Sequence, residues 1–196
     1  MDISRVKRIW IWISRCTHSL GFGVQSPNDY RYICDVVNQH YPYYAYESLR
    51  VIYPDLSSVM RKLYELYFRM INDRQPSLIV DYRPDCSASG AYMRAGCHSA
   101  QYTKINSVQD FPDSSLASFI RLTFDSDAPS AIRSLLNKIN DKSVLVLEGI
   151  YKNNTSKRLW KEIIINKKTT VTFDLYFCGI IFFDKKRYKQ NYIVNF

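Results

Sequence analysis

The sequence predicts an α/β fold with a mainly parallel sheet, an N-terminal helical extension and a C-terminal antiparallel hairpin. Three observations carry this. Leu78–Tyr82 and Ser143–Leu147 are short, continuous apolar runs of the kind that form strands covered on both faces. From Ser77 onward, strand-like and helix-like segments alternate, which argues for parallel pairing with helices on both sides of the sheet. Before that point the apolar residues follow helical spacing alone.

The elements follow in order. The first helix carries Ile3, Val6, Trp10 and Ile13 on one face. We expect that face to pack against the rest of the protein; an interfacial membrane helix is the alternative, given the neighbouring Arg5, Lys7 and Arg8. A glycine-punctuated loop, Gly21-Phe-Gly-Val-Gln-Ser-Pro27, comes next. Ser26 is the expected N-cap, with Pro27 in the first helical position, of a helix running to about His40. Tyr41–Glu47 reads as an aromatic linker or short helix. Asp55 or Ser57 caps a third helix whose Leu56, Val59, Met60, Leu63, Leu66, Tyr67, Met70 and Ile71 recur at intervals of three and four.

In the second part, Leu78–Tyr82 is the first strand and a helix surrounds Ser89–Ala95. Strands are expected at Tyr102–Val108, Ala117–Phe124 and Ser143–Leu147. Helices are expected at Ala128–Ile139 and Ser156–Ile165. Val171–Tyr176, Gly179–Asp184 and Tyr192–Phe196 close the chain as β segments. The expected organisation is therefore 1–75 as the helical extension and 76–196 as the α/β domain, together one compact unit.

Composition narrows the class. With 196 residues, 46% of them apolar, the chain can fill a real core. The five cysteines are odd in number, scattered and without a CxxC pair, so they read as small core residues of a reduced, cytoplasmic protein. Ile9–Ile13 is too short for a signal peptide, and no run reaches membrane-spanning length. The net charge of +9 is uneven: residues 138–196 carry 12 basic and 5 acidic groups. That field could attract a polyanion, but a solvated basic surface explains it equally, and nucleic acid is disfavoured as a partner.

Chemistry-bearing motifs are sparse. There is no phosphate loop, nucleophile elbow or zinc spacing. His18 and His40 lie in the helical part. Cys97 and His98 are adjacent, so their side chains point apart and do not form a nucleophile pair. The informative stretch is Leu78-Ile-Val-Asp-Tyr-Arg-Pro-Asp-Cys-Ser-Ala-Ser-Gly90: a buried strand, an acid at its end, and a loop into a helix. In a nucleotide-type α/β fold that loop lets the backbone approach a cofactor, which calls for glycine. Here Arg83 and Pro84 stand there, and the first glycine is Gly90.

Three segments together, Gly21-Phe-Gly-Val-Gln-Ser-Pro27, Tyr43-Tyr-Ala-Tyr-Glu47 and Val171-Thr-Phe-Asp-Leu-Tyr-Phe-Cys-Gly-Ile-Ile-Phe-Phe183, resemble bacterial, Bacteroidetes-type S-adenosylmethionine-dependent methyltransferases of the Rossmann-like class. The resemblance runs from about Gly21 to Phe196. It implies a three-layer Rossmann-like methyltransferase fold and S-adenosylmethionine as the cofactor of any activity. Residue by residue, it puts Asp81 at the family's strand-end acid, Ser87 and Gly90 beside the cofactor, and Asn106 where an acid should hold the ribose hydroxyls. It also implies that Asp125 and Glu148 lie near the methyl acceptor, as strand-end acids that hold a divalent ion such as Mg²⁺ in metal-dependent relatives. Gly149 and Tyr151 replace the second acid and histidine of that pattern, so we assign no metal. The local reading is that Asp125 caps the next helix and Glu148 is a surface acid. The stretch between the second and third strands is also too short for a full helix–strand–helix unit, which implies one strand fewer than in full-length relatives.

Function is then expected to be that of a methyltransferase-like protein with a degenerate cofactor site, a pseudoenzyme with a binding or structural role. An active small-molecule O-methyltransferase with an altered cofactor loop is the second reading, and a basic nucleic-acid-binding module the third. The partner stays open between a small-molecule acceptor, another protein and a second copy of the chain.

Overall fold

The computed structural model describes residues 5–21, 23–84, 86–112, 118–125 and 128–196. Ile3, Phe22, Asp85 and Ala117, the expected start of the third strand, lie outside the described residues. The chain divides into two compact units. One comprises Met1–Gln75, Cys86–His98 and Ile193–Phe196, the other Pro76–Asp85 and Ser99–Tyr192.

The first unit is helical: α1 (Arg5–Ser14), α2 (Pro27–Tyr32), α3 (Tyr44–Ile52), α4 (Ser58–Arg74) and α5 (Ser87–Gly96). The Ser26 hydroxyl accepts from the Asp29 amide and Pro27 opens α2, as expected. The helix does not run to His40: a wide π-turn, Ile33–Val37, follows it. Arg69 supplies a physical reason, because its Nε and Nη2 donate to the Val36 and Val37 carbonyls at 2.7 and 3.0 Å. Those acceptors are turned to a guanidinium instead of extending the helical ladder. The aromatic segment becomes the longer helix α3. Ser57, and not Asp55, caps α4 by accepting from the Met60 amide at 3.3 Å. Helices α4 and α5 touch at Gly96, where a Cβ would stand 2.6 Å from the Phe68 carbonyl oxygen, so only glycine permits this approach.

Tyr43, Tyr46 and Phe68 form an aromatic cluster with ring centroids 4.9–5.2 Å apart. The Tyr46 hydroxyl donates to the Glu65 carbonyl at 3.1 Å and accepts from Arg69 at 3.3 Å. Burial above all pushes its pKa up to about 12. A phenol that holds its proton longer when folded than when unfolded stabilises the protein below its unfolded pKa, about 10. That contribution is lost as pH rises from there through about 12. Urea unfolding should therefore show stability falling over this alkaline window, with Tyr46→Phe making the fall shallower. An unchanged slope in the variant would assign the loss elsewhere.

The first helix corrects an expectation. Its apolar stripe does not pack inward: Val6, Ile9, Trp10 and Ile13 are all exposed. The opposite side is the one held, through Arg8 on the Ser58 hydroxyl and Asn195 Nδ2 on the Trp12 carbonyl. The C-terminal tail explains a second difference. The predicted strand Tyr192–Phe196 forms earlier, as β7 (Gln190–Ile193), because Asn195 is tied by its own amide to the His18 carbonyl at 3.1 Å.

The second unit is a seven-stranded sheet of β1 (Leu78–Tyr82), β2 (Gln101–Ile105), β3 (Ser118–Thr123), β4 (Val144–Glu148), β5 (Val171–Asp174), β6 (Cys178–Phe182) and β7, in the order β2-β1-β3-β4-β6-β5-β7. Strands β2, β1, β3 and β4 are parallel, and the β5–β6 hairpin joins antiparallel through β6 on β4. The predicted α/β class and mainly parallel sheet are what the structure has. Strand β2 is an edge, and among the described residues between it and β3 there is a short 3₁₀ turn, Val108–Asp110, and no strand.

Alternation sorts the two faces of this sheet. Leu78, Val80, Tyr82, Ile120, Leu122, Leu145 and Leu147 point to one side. There they form a continuous core with Ile132, Leu135 and Leu136 of α6 (Ala128–Lys138) and Leu159, Trp160 and Ile163 of α7 (Asn154–Ile165). Gly179 of β6 is part of that packing, since the Trp160 ring lies directly on its backbone.

Candidate functional site

The other face of the sheet carries the polar residues. Register pairs Asp81 on β1 with Arg121 on β3, and Arg121 with Val146 on β4. Glu148 lies two residues beyond Val146, and Tyr102 is the partner of Ile79, two before Asp81. A two-residue period therefore brings Tyr102, Asp81, Arg121 and Glu148 to one side, near the C-terminal ends of the central strands.

Arg121 ties this set together. Its Nη1 donates to Asp81 Oδ1 at 2.9 Å and its Nε to Glu148 Oε1 at 2.6 Å. Arg121 and Asp81 are wholly buried, and only 13% of the Glu148 side chain is exposed. Tyr102 donates to the second Asp81 oxygen at 2.8 Å, and Thr123 to the second Glu148 oxygen at 3.3 Å. Every carboxylate oxygen of the pair thus has a donor. At this depth an unmatched charge would be costly, and each of these groups depends on the others. The expectation that Glu148 is a surface acid is corrected: it is a nearly buried member of an ion triad.

A second arginine crosses the strand ends. Arg83 follows β1 directly, with φ at +46°, a left-handed conformation in which glycine would be relaxed and a side chain is strained. Its amide donates to the Ile105 carbonyl at 2.9 Å. Its Nε donates to the Asn106 carbonyl at 2.9 Å, and its Nη1 to Asp125 Oδ2 at 3.2 Å. Because β1 lies between β2 and β3, one guanidinium spans the ends of both neighbours. It also lies over the Tyr82 ring, 5.4 Å from the centroid. Asp125 does lead into α6, but through its carbonyl, which accepts from the Ala128 amide at 3.3 Å. Its carboxylate faces Arg83.

Asp81 and Glu148 are thus brought together through Arg121, and Asn106 and Asp125 through Arg83. Ser87 and Gly90 belong to the other compact unit, in the first turn of α5, with Ser87 exposed and Gly90 buried. Sequence reasoning missed Arg121. The available signal was an arginine inside the otherwise apolar Phe119–Leu122 run, which only a buried acid could accommodate.

Around the triad the chemistry is quiet. Gly149, with φ at +76°, turns the chain out of β4, and its amide donates to the Phe177 carbonyl at 2.8 Å. Tyr151 donates to Asp174 Oδ2 at 2.5 Å and stacks on Tyr176 at 5.1 Å. Cys178 faces Glu148 across the β4–β6 ladder, and burial, with the Glu148 and Asp174 charges added, pushes its thiol well above the ordinary range. It is a packing residue. Cys97 is likewise buried, whereas Cys34 and Cys86 are half-buried and Cys16 is exposed. Among the described residues, no three histidine, cysteine or acidic side chains are grouped as metal ligands.

An S-adenosylmethionine-type cofactor needs backbone amides at the loop after β1 and an acceptor for its ribose hydroxyls after β2. The loop presents a strained arginine in place of glycine, the Asn106 carbonyl is taken by that arginine, and Asp81 is enclosed by Arg121 and Tyr102.

No protein-family model matches the chain, and no curated protein is similar to it in sequence. Solved structures are similar in fold. A Podospora anserina methyltransferase bound to SAH superposes with a TM-score of 0.50 at 11% identity, over 85% of this chain and 97% of that one. An O-methyltransferase from Bacillus cereus in complex with SAH superposes with a TM-score of 0.51 at 10% identity, over 77% of this chain and 94% of the other. At such identities the likeness is one of fold: this chain has the Rossmann-like fold of these methyltransferases.

Proposed function

We propose that this is a methyltransferase-like protein whose cofactor site has degenerated and which acts by binding or as a structural component. The observation that carries the reading is the fate of the three strand-end acids. Asp81 and Glu148 are neutralised by Arg121, and Asp125 faces Arg83. Methyl transfer in this fold draws on such acids to hold the cofactor or the acceptor, and here each already has a cationic partner from its own sheet. The Arg83–Asp125 pair is 39% and 37% exposed, so it contributes at most about 1 kcal/mol. Its weight in the reading is positional: a positive charge and a bulky side chain stand directly after β1.

Calorimetric titration with S-adenosylmethionine and with S-adenosylhomocysteine tests this. The expected result is no saturable heat at ligand concentrations up to about 1 mM, weaker than about −4 kcal/mol of binding. Micromolar affinity for either compound would overturn the reading in favour of an active enzyme with an altered loop.

A further inference from the structure

We propose that helix α1 is an interfacial anchor that docks this protein on an anionic lipid surface. The inference goes beyond the reading above and holds whether or not the sheet binds a cofactor.

It rests on the way the helix is mounted. Residues 6, 9, 10 and 13 fall on one stripe of a ten-residue helix, and all four are apolar. A helix of a water-soluble protein turns such a stripe inward. Here Val6 is 74% exposed, Ile9 53%, Trp10 72% and Ile13 57%, with Trp12 at 58% on the flank. The basic side is the one fixed to the protein, by Arg8 on Ser58 and by Asn195 on the Trp12 carbonyl, while the Ser14 hydroxyl caps back onto the Ile11 carbonyl. The stripe is thus held outward from behind.

Charge selects the occupant. Lys7 is exposed at the edge of the stripe while Arg8 and Arg15 lie half-buried behind it, no acid lies between Arg5 and Arg15, and the whole chain carries +9. A second copy would bring another +9 chain to this face, whereas an anionic bilayer offers both an apolar boundary and a negative potential. Tryptophan is the side chain best suited to that boundary, with an apolar ring and one N–H for the headgroup layer. No helix among the described residues is long and apolar enough to cross a membrane, so the geometry is that of a helix lying on the surface.

Tryptophan fluorescence and vesicle co-sedimentation of the full chain test the proposal. Of the three tryptophans, Trp160 is buried and Trp10 and Trp12 are exposed, so nearly all of any lipid-induced blue shift reports on α1. Phosphatidylglycerol–phosphatidylcholine vesicles should shift the emission to the blue and sediment the protein. Binding should weaken several-fold on raising salt from about 0.1 to about 0.5 M, and the double variant Trp10→Ser, Ile13→Ser should lose about tenfold or more in partitioning. These side chains touch solvent, so an unchanged circular dichroism spectrum is expected for the variant. No binding at millimolar anionic lipid, equal binding of the variant, or equal binding to pure phosphatidylcholine overturns the proposal. So does a protein-concentration-dependent blue shift without lipid, which would make a second copy the occupant.

Discussion

Replacing Arg121 with methionine should lower stability by about 3–5 kcal/mol, the cost of leaving buried carboxylates without their cation. For a chain of this length that is a fall in Tm of roughly 6–20 °C. The effect is large because one guanidinium serves two acids, at 2.9 and 2.6 Å, and is wholly buried. Without it, Asp81 and Glu148 are left on either side of β3 with no cation between them. Arg121→Lys should restore only a fraction, because a single ammonium cannot fork to two carboxylates from a fixed strand position. Urea unfolding of the three proteins measures this. A methionine variant within about 1 kcal/mol of the parent would mean that the triad contributes little beyond its replacement by apolar packing.

The second large effect is expected at Gly179. A Cβ there would lie 2.4 and 2.5 Å from Cζ3 and Cη2 of Trp160, closer than side chains approach. Trp160 is 2% exposed within the α6–α7 core, so its ring has no room to withdraw. Gly179→Ala should therefore destabilise by about 2–3 kcal/mol, at the upper end of ordinary overpacking. Trp160→Leu in the same background should recover part of that loss, although Trp160→Leu alone is itself destabilising. A double-mutant cycle with coupling below about 0.5 kcal/mol would show that β6 shifts to accept the methyl group.

Much of the architecture was legible beforehand. The strands Leu78–Tyr82 and Val144–Glu148 stand out through their apolar runs Leu78–Val80 and Val144–Leu147, as two-sided burial demands. Ser26 with Pro27, and Ser57 before α4, announce helix starts through local hydrogen bonding that needs no tertiary context. What was not legible depends on partners distant in sequence. The π-turn after Tyr32 goes with a guanidinium more than thirty residues away. The direction of the α1 stripe could not be read either, because periodicity tells which residues share a face and not which way the face turns. At the candidate site, the acids at 81, 125 and 148 were visible as strand-end residues. Their neutralisation was not, because it requires the register that places Arg121 beside Asp81 and one strand from Glu148.

That linkage has a bearing on inheritance. Three positions in three separate strands answer to a single electrostatic account, so a change at any one is penalised until another follows. Descendant sequences should keep residues 81, 121 and 148 as a block or exchange them together, and a lineage that had once acquired the central arginine could not easily shed it one mutation at a time.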